Sequence, residues 1–300
     1  MAAYAGKTNF SNGGDRDRSI FGKFYMFDGT VGNVFYVFAG AVGSGDGFSP
    51  GNACVTINAA IALCTANNGD IIVVLPGHTE TVVAAAGVLV NVAGVKIVGM
   101  GVGRSRPTIT FTTSTAASFD ITSANTTIEN LVLVCGIDAQ LAMVNITAAD
   151  VAFDKCELET NSGTVGTVAG ILTAATATRL RVENCFFRGP ATNTGTTTTA
   201  QIKHEAGVDY VIRKNYFTGK MTQSIVNVAT VLRGLIDDNR FVVATGTAAI
   251  TMAAASTPFI TNNRINVPSG TAPIAAAAGF VAGNVYSAAA GVTAGTASTI

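Results

Sequence analysis

A six-residue pattern of apolar and polar positions recurs along most of the chain. An apolar first position is followed by two mostly polar positions, a fourth position of restricted type, a variable fifth position and an apolar sixth position. The pattern begins at Ile97, Ile128, Phe153, Val182, Ile212, Ile236, Ile260 and Val281, so it returns every 21 to 31 residues. Repeats of this length are typical of solenoids, in which each unit buries its apolar face against its neighbours.

The fourth and sixth positions predict two buried rows. Asparagine tolerates left-handed backbone angles, and stacked amides can bond to one another, so a ladder through the fourth position leaves no buried amide unpaired. The sixth position predicts an interior aromatic stack of Phe187, Phe217 and Phe241. The predicted ladder residues are Cys156, Cys185, Asn215, Asn239, Asn263 and Asn284.

Each repeat contains two strand-like runs, the six-residue motif and a run before it such as Met143–Ile146. Two strands and two turns in about 24 residues match one coil of a parallel β-helix. Upstream, a strand at Val34–Phe38 precedes a helix near Val55–Thr65 and an apolar strand in Ile71–Gly77. The predicted fold is therefore all-β, a right-handed parallel β-helix solenoid, with this helix capping the open edges of the first coil.

Three regions are predicted. Residues 1–33 lack any period and form an extended, aromatic-bearing arm for docking or assembly. Residues 34–286 form the capped β-helix, and residues 287–300 form a C-terminal tail of low complexity. The aromatic residues assigned to docking are Tyr4, Phe10, Phe21, Phe24, Tyr25 and Phe27.

Composition narrows the classes of partner. Only 12% of residues are charged and the formal net charge is zero, so no basic surface predicts binding to nucleic acid or to an anionic membrane. The apolar stretch Val82–Val102 contains Lys96 and alternating β-branched residues, which favours strands over a membrane-spanning helix. The five cysteines lack zinc or redox spacing, so neither a metal nor a cofactor is expected. The chain begins without the apolar segment of a secretion signal, which favours assembly in a host cytoplasm.

The entry region resembles that of the pectate-lyase-like β-helix superfamily. The shared features are Thr56-Ile57 with Ala60-Ile61, then Gly69-Asp70 and Pro76-Gly77. With the later asparagine repeats, the resemblance covers about Val34 to Tyr286. It implies the fold but not an activity, since the superfamily includes lyases, hydrolases and non-enzymatic virion proteins. The segments PGHTETV and VGMGVGRSRPTITF resemble β-helix proteins of tailed bacteriophage particles.

One row of charged residues is the candidate site. Asp154, Glu183, Arg213 and Asp237 occupy the second position of their repeats and are expected on one outer face. A solvated charged stripe is the favoured interpretation of this row, with a carbohydrate site as the alternative. A glycosidase needs two facing carboxylates, whereas a pectate-type lyase needs calcium ligands and a base. No catalytic residue is assigned.

The sequence favours a non-enzymatic structural protein of a bacteriophage particle, located in the virion. A capsid decoration protein that assembles through β-helix faces, as a homo-oligomer with a trimer expected, fits the length and low charge. Its partners would be its own copies and a capsid or other virion protein. The alternative is a tail spike or fibre that binds or cleaves host surface polysaccharide, and a weaker one is a bacterial polysaccharide lyase.

Overall fold

The computed structural model describes residues 32–43, 45–160, 165–190, 198–205, 207–268, 272–276 and 279–288. In these ranges the chain is nearly all β, with parallel strands stacked in about eight turns of a solenoid. The predicted parallel β-helix is therefore confirmed. The predicted arm, residues 1–33, lies outside the described residues except for its last two positions, and so do residues 289–300 of the predicted tail.

Two sheets run along the solenoid axis. The first sheet contains one strand from each coil, except that one coil supplies two short strands, β17 and β18, which both pair with β20. The neighbours in this sheet are parallel. Its strands are β1 (Val34–Val37), β2 (Ile71–Val74), β5 (Lys96–Gly99), β8 (Thr126–Glu129), β11 (Val151–Asp154), β14 (Arg181–Glu183), β17 (Gly207–Val208), β18 (Val211–Arg213), β20 (Val231–Asp237), β22 (Thr257–Thr261) and β25 (Phe280–Ala282).

The second sheet takes two successive segments from each coil. The segment that directly follows the first sheet supplies β3 (Thr79–Val82), β6 (Thr108–Phe111), β9 (Val132–Cys135), β12 (Glu157–Thr160), β15 (Phe186–Arg188), β23 (Arg264–Val267) and β26 (Val285–Ala288). The next segment supplies β4 (Val88–Val90), β7 (Phe119–Ile121), β10 (Val144–Ile146), β13 (Ala169–Thr173), β16 (Thr198–His204) and β24 (Ala272–Ala275). Two long strands, β19 (Tyr216–Asn227) and β21 (Arg240–Thr251), span both segments and join them into one sheet.

The motif divides between the two sheets at a sharp turn. Its third residue adopts a left-handed conformation, as at Lys155 with φ 54°, and its fourth residue points into the core. The expectation that the fourth-position asparagines themselves take left-handed angles is therefore wrong. The chain bends one residue earlier, where the side chain can face solvent. The residues that make this bend are Asn130, Lys155, Asn184, Lys214, Asp238, Asn262 and Gly283.

The first and sixth positions fill the core in register. Phe187, Phe217 and Phe241 stack with ring centroids 4.7 Å apart and planes within 7° of parallel. The first unit is an exception, because Val102 is 83% exposed and Ile109 is the residue that pairs with Leu133. In the unit that begins at Ile97, the repeat predicts that the sixth position, Val102, faces the core. This prediction is wrong, because an insertion of seven residues moves the inward-facing position from 102 to 109.

Arg106 belongs to this inserted stretch and fastens it to the solenoid. Its guanidinium donates to the backbone oxygen of Leu131 at 3.1 Å and to that of Lys155 at 2.7 Å. It also donates to the Glu157 carboxylate at 3.1 Å. A single side chain thus bonds to two successive coils.

The N-terminal end of the solenoid is covered as predicted, although the helix is shorter than the sequence suggested. Helix α1 spans Ile57–Ile61 and buries Ile57, Ala60 and Ile61. The Asn58 side chain fastens it to β4, because its amide accepts from the Leu89 N–H at 2.8 Å. The segment before the helix covers the open edge of β1, where the backbone N–H of Cys54 donates to the Tyr36 carbonyl at 2.8 Å.

Asp70 anchors the same end from inside. Its carboxylate is fully buried and accepts from the backbone N–H groups of Asn33 at 2.7 Å and Thr65 at 2.6 Å. The side chain of Asn68 donates to it at 2.7 Å. A buried carboxylate is tolerated when several donors satisfy it, so this residue joins the first strand to the loop after the helix.

The apolar stretch Val82–Val102 forms the end of β3, then β4 and β5. Of the helices in the described part of the chain, none is long and apolar enough to cross a membrane.

Candidate functional site

Four asparagines form one buried ladder through consecutive coils. The Asn215 amide donates to Asn239 Oδ1 at 3.0 Å, Asn239 donates to Asn263 at 3.0 Å, and Asn263 donates to Asn284 at 2.9 Å. Each amide also donates to the backbone oxygen of the first motif position of the preceding coil, for example Ile212 at 2.9 Å from Asn239. The amides of the three buried asparagines, Asn215, Asn239 and Asn263, are thus fully bonded within the core, which leaves none of them for a ligand.

Two cysteines continue the same row toward the N-terminus. Cys156 and Cys185 are buried and free, and the Cys185 N–H donates to Asn215 Oδ1 at 2.9 Å. Burial raises the pKa of the Cys185 thiol well above its ordinary value, and the adjacent Cys156 raises it further. These thiols fill space in the core.

The four charged residues of the candidate site form a row on the outer side of the first sheet. Asp154 pairs with Glu183, Glu183 with Arg213, and Arg213 with Asp237 in the register of neighbouring strands. Neighbouring strands are about 4.8 Å apart, so the four side chains follow the solenoid axis in a line of about 14 Å. The four residues at the second position of the repeat therefore lie side by side, as the repeat predicted.

Each carboxylate of this row is bound by the coil that follows it. Asp154 accepts from the Asn184 amide at 2.7 Å, and Glu183 accepts from Arg213 Nε at 2.8 Å. Asp237 accepts from the Thr261 hydroxyl at 2.7 Å. Additional cations come from the same coil, since Lys155 Nζ lies 2.9 Å from the Asp154 carboxylate. Every negative charge of the row thus has donors from the protein.

Glu129 extends the row by one coil, and its pKa shows how the neighbouring lysines act on a carboxylate of this face. Burial raises the pKa of this carboxyl, but hydrogen bonds from Lys96 and Lys155 outweigh burial and hold it below its ordinary value. Lys96 Nζ lies 2.9 Å and Lys155 Nζ 3.0 Å from the carboxylate. A general acid needs the opposite shift, so Glu129 is suited to an ion pair rather than to proton donation.

Two further carboxylates, Glu157 and Glu159, lie on the outer face of the second sheet and are thereby separated from Asp154. Burial and the neighbouring Glu157 raise the pKa of Glu159, while Glu157 lies 3.1 Å from Arg106. Two neighbouring carboxyl groups in different environments can act as an acid–base pair. Here, however, both contact Arg188, at 3.2 Å each, which marks an ion-pair network.

The sequence interpretation missed a row of aromatic and arginine side chains beside this network. Phe186 and Tyr216 stack on the outer face with centroids 5.1 Å apart and planes 11° from parallel. The Arg188 guanidinium lies 4.9 Å from the Phe186 ring centroid, and that of Arg240 lies 5.1 Å from the Tyr216 centroid. Each ring therefore has a ring on one face and a guanidinium near its centroid, so neither offers an open face on which a sugar could stack.

The signal for this row was present at the fifth motif position, which the sequence analysis treated as variable. That position holds Phe186, Tyr216, Arg240 and Arg264 in successive coils. Among the described residues, Arg240 and Arg264 form no ion pair with a carboxylate.

The two histidines lie in separate places. His78 is buried, and its Nε2 lies 3.2 Å from the Glu80 carboxylate, which in turn accepts from the Ile57 N–H at the start of α1. His204 is buried in the core beside Tyr210. In the described part of the chain, no group of three histidine, cysteine or acidic residues could hold a metal ion.

The residues assigned to docking, Tyr4, Phe10, Phe21, Phe24, Tyr25 and Phe27, lie outside the described residues. Their role stays a prediction.

Comparisons with known proteins add no family to this description. No protein-family model matches the chain, no curated protein is significantly similar to it, and no solved structure matches it significantly. The resemblance of the entry region to pectate-lyase-like proteins therefore stays a prediction.

Proposed function

We propose that this chain is a non-enzymatic structural protein of a bacteriophage particle, with capsid decoration as its role. The observation that carries the proposal is the state of the charged outer row. Its carboxylates bind side chains of the next coil. Such a row holds neighbouring coils together and keeps the surface soluble.

The interior supports the same role. The asparagine ladder, the thiol row and the phenylalanine stack run along the core and tie each coil to the next. In solenoids each coil contacts only its neighbours, so continuous rows of this kind give a rigid rod. A rigid rod with flat β faces suits lateral packing in a shell. We propose that self-association through these faces gives a homotrimer.

The phage context rests on the sequence. The PGHTETV and VGMGVGRSRPTITF segments resemble proteins of tailed phage particles, and residues 1–33 supply an aromatic arm for attachment. In the proposed role the arm contacts a capsid or other virion protein, and the solenoid extends over the shell. The location is then the virion, after assembly in the host cytoplasm.

Immunogold electron microscopy of phage particles purified from a host lysate tests this proposal. Label distributed over the capsid is the expected result. Deletion of residues 1–31, which keeps the Asn33 N–H that Asp70 binds, should abolish the label while the circular dichroism of the purified protein stays unchanged. Label confined to tails would contradict decoration of the capsid. Unlabelled particles would contradict a virion role altogether.

A second assay addresses the enzymatic alternative. Purified protein is incubated with bacterial capsule and lipopolysaccharide preparations, and reducing ends and unsaturated uronates are measured. We expect no release by the wild type. Release that is lost in Glu183→Gln but kept in the matched variant Glu80→Gln, far from the outer row, would contradict the structural assignment.

A further inference from the structure

One interior row changes from apolar to polar halfway along the solenoid. In the second segment of the second sheet, Val90, Ile121 and Ile146 pair with one another in successive N-terminal coils. The next three coils place polar residues in this row: Thr173, His204 and Asn227. Ile146 pairs with Thr173, Thr173 with His204, and His204 with Asn227. All three polar side chains are buried, with exposures of 0%, 1% and 2%. Since aliphatic residues fill the same position in earlier coils, the geometry does not require polarity here.

His204 is the titratable member of this row. Its Nδ1 forms a hydrogen bond with the Thr173 hydroxyl, and its ring centroid lies 5.0 Å from that of Tyr210. Its Nε2 has no hydrogen-bond partner among the described residues, and neither does Asn227 Oδ1. The Asn227 amide instead donates to the Tyr210 hydroxyl at 3.0 Å.

No counter-ion for an imidazolium contacts the ring in the described part of the chain. Thr173 on β13, Tyr210 in the turn before β18, Asn227 on β19 and Met252 after β21 are the side chains of this polar cluster, and none is acidic. The carboxylate that acts on His204 is its neighbour Glu205, which is already 2.9 Å from Lys203 Nζ. The other nearby acid, Asp209, binds Arg233 at 2.7 Å on the surface.

We propose that His204 is an acid-sensitive switch in the solenoid. Protonation of its buried imidazole opens the coils around the polar row, which spans Thr173 to Asn227, while the aliphatic N-terminal coils stay closed. The charged ring can reach water only if those coils separate, and their rows of inter-coil hydrogen bonds separate with them.

The direction and size of the effect follow from proton linkage. Burial lowers the pKa of His204 from 6.5 to about 4, so the open state binds the proton more tightly than the closed state. The closed state is thus favoured above pH 6.5 and loses that advantage as the pH falls toward 4. Between pH 7 and pH 5 the equilibrium constant for opening should rise about 20-fold.

Hydrogen exchange with mass spectrometry on the full chain tests the proposal. After correction for intrinsic rates, peptides covering β13, β16 and the end of β19 should exchange about 20-fold faster at pH 5 than at pH 7. Peptides covering β4, β7 and β10 should show little change. His204→Asn keeps an acceptor for the Thr173 hydroxyl but cannot be protonated, so it should remove the difference. The matched variant His78→Gln, in the other half of the solenoid, should retain it.

A second measurement does not depend on any variant folding. The His204 ring is titrated in the wild-type protein by NMR, with His78 distinguished by the His78→Gln spectrum. A His204 pKa clearly below 6.5 supports the switch, and a pKa at or above 6.5 overturns it. Equal protection of β13 and β16 at the two pH values would also overturn it, as would a pH effect that persists in His204→Asn.

Discussion

Replacing Asn239 by alanine tests whether the asparagine ladder stabilises the solenoid. Asn239 is the one ladder residue named here that lies between two other buried asparagines, Asn215 and Asn263. Its amide donates to Asn263 Oδ1 and to the Ile212 carbonyl, at 3.0 and 2.9 Å. Its oxygen accepts from the N–H and the amide of Asn215, at 2.9 and 3.0 Å. The substitution therefore removes four hydrogen bonds at once.

The expected cost is worked from these four bonds. A buried intramolecular hydrogen bond contributes about 1 kcal/mol net, and a donor left unpaired retains its desolvation penalty. The Asn215 amide keeps its bond to the Val182 carbonyl, but its backbone N–H loses its acceptor. The free energy of unfolding should fall by about 4 kcal/mol. Cysteine, which fills this slot in two earlier coils, should not restore the loss because it cannot replace the amide on both sides.

Urea unfolding followed by far-ultraviolet circular dichroism measures this change. Asn284→Ala is the matched control, since Asn284 is partly exposed and water can replace its bonds to Asn263. The free energy of unfolding of this control should fall by about 1 kcal/mol. If Asn239→Ala lowers the free energy of unfolding no more than Asn284→Ala does, the buried asparagine ladder is not a main source of stability.

Three further substitutions and one labelling experiment test other parts of the fold. Asp70→Ala removes a buried carboxylate with three donors and should lower the free energy of unfolding by about 4 kcal/mol, measured by urea denaturation; a loss below 1 kcal/mol would contradict its anchoring role. Phe217→Ala opens a cavity within the aromatic stack and should cost about 4 kcal/mol in the same assay, whereas a loss near zero would mean that the stack collapses without penalty. Burial raises the pKa of Cys64 to about 12, so iodoacetamide at pH 8 should alkylate it only after unfolding; rapid labelling of the native protein would refute this. Arg233→Ala breaks an exposed ion pair with Asp209 and should leave the melting temperature unchanged within error, and a clear decrease would contradict the weak contribution expected of surface pairs.

The repeat predicted the rows of the core because the same local rule operates in every coil. First positions such as Ile212 and Ile236 pair in register, and so do sixth positions such as Phe217 and Phe241. The rule for the sixth position failed at the first unit, where the chain carries an insertion. At the first unit the inserted residues move the inward-facing position from Val102 to Ile109, and the apolar pattern alone does not reveal such an insertion.

Other features depend on the direction in which the chain bends, which the pattern does not specify. Asp154 and Glu157 are three residues apart in one repeat, yet the bend at Lys155 places them on different sheets. The polar cluster around His204 was also not predicted. It brings Thr173, Tyr210 and Asn227 together from three different coils, and none of them stands at a motif position that marks the core.

Several surface ion pairs in this solenoid join neighbouring coils and so favour one alignment of the coils. Besides the outer row, Asp150 binds Arg179 from the next coil at 2.6 Å, and Asp209 binds Arg233 from the next coil at 2.7 Å. All four residues adopt left-handed angles, at equivalent positions of four successive coils. Asp150, Arg179 and Asp209 come just before a strand of the first sheet, and Arg233 lies within β20. Exposed pairs of this kind contribute little stability, but a shift of one coil against its neighbour would separate both partners at once. Charge placed at a repeated turn thus selects one register.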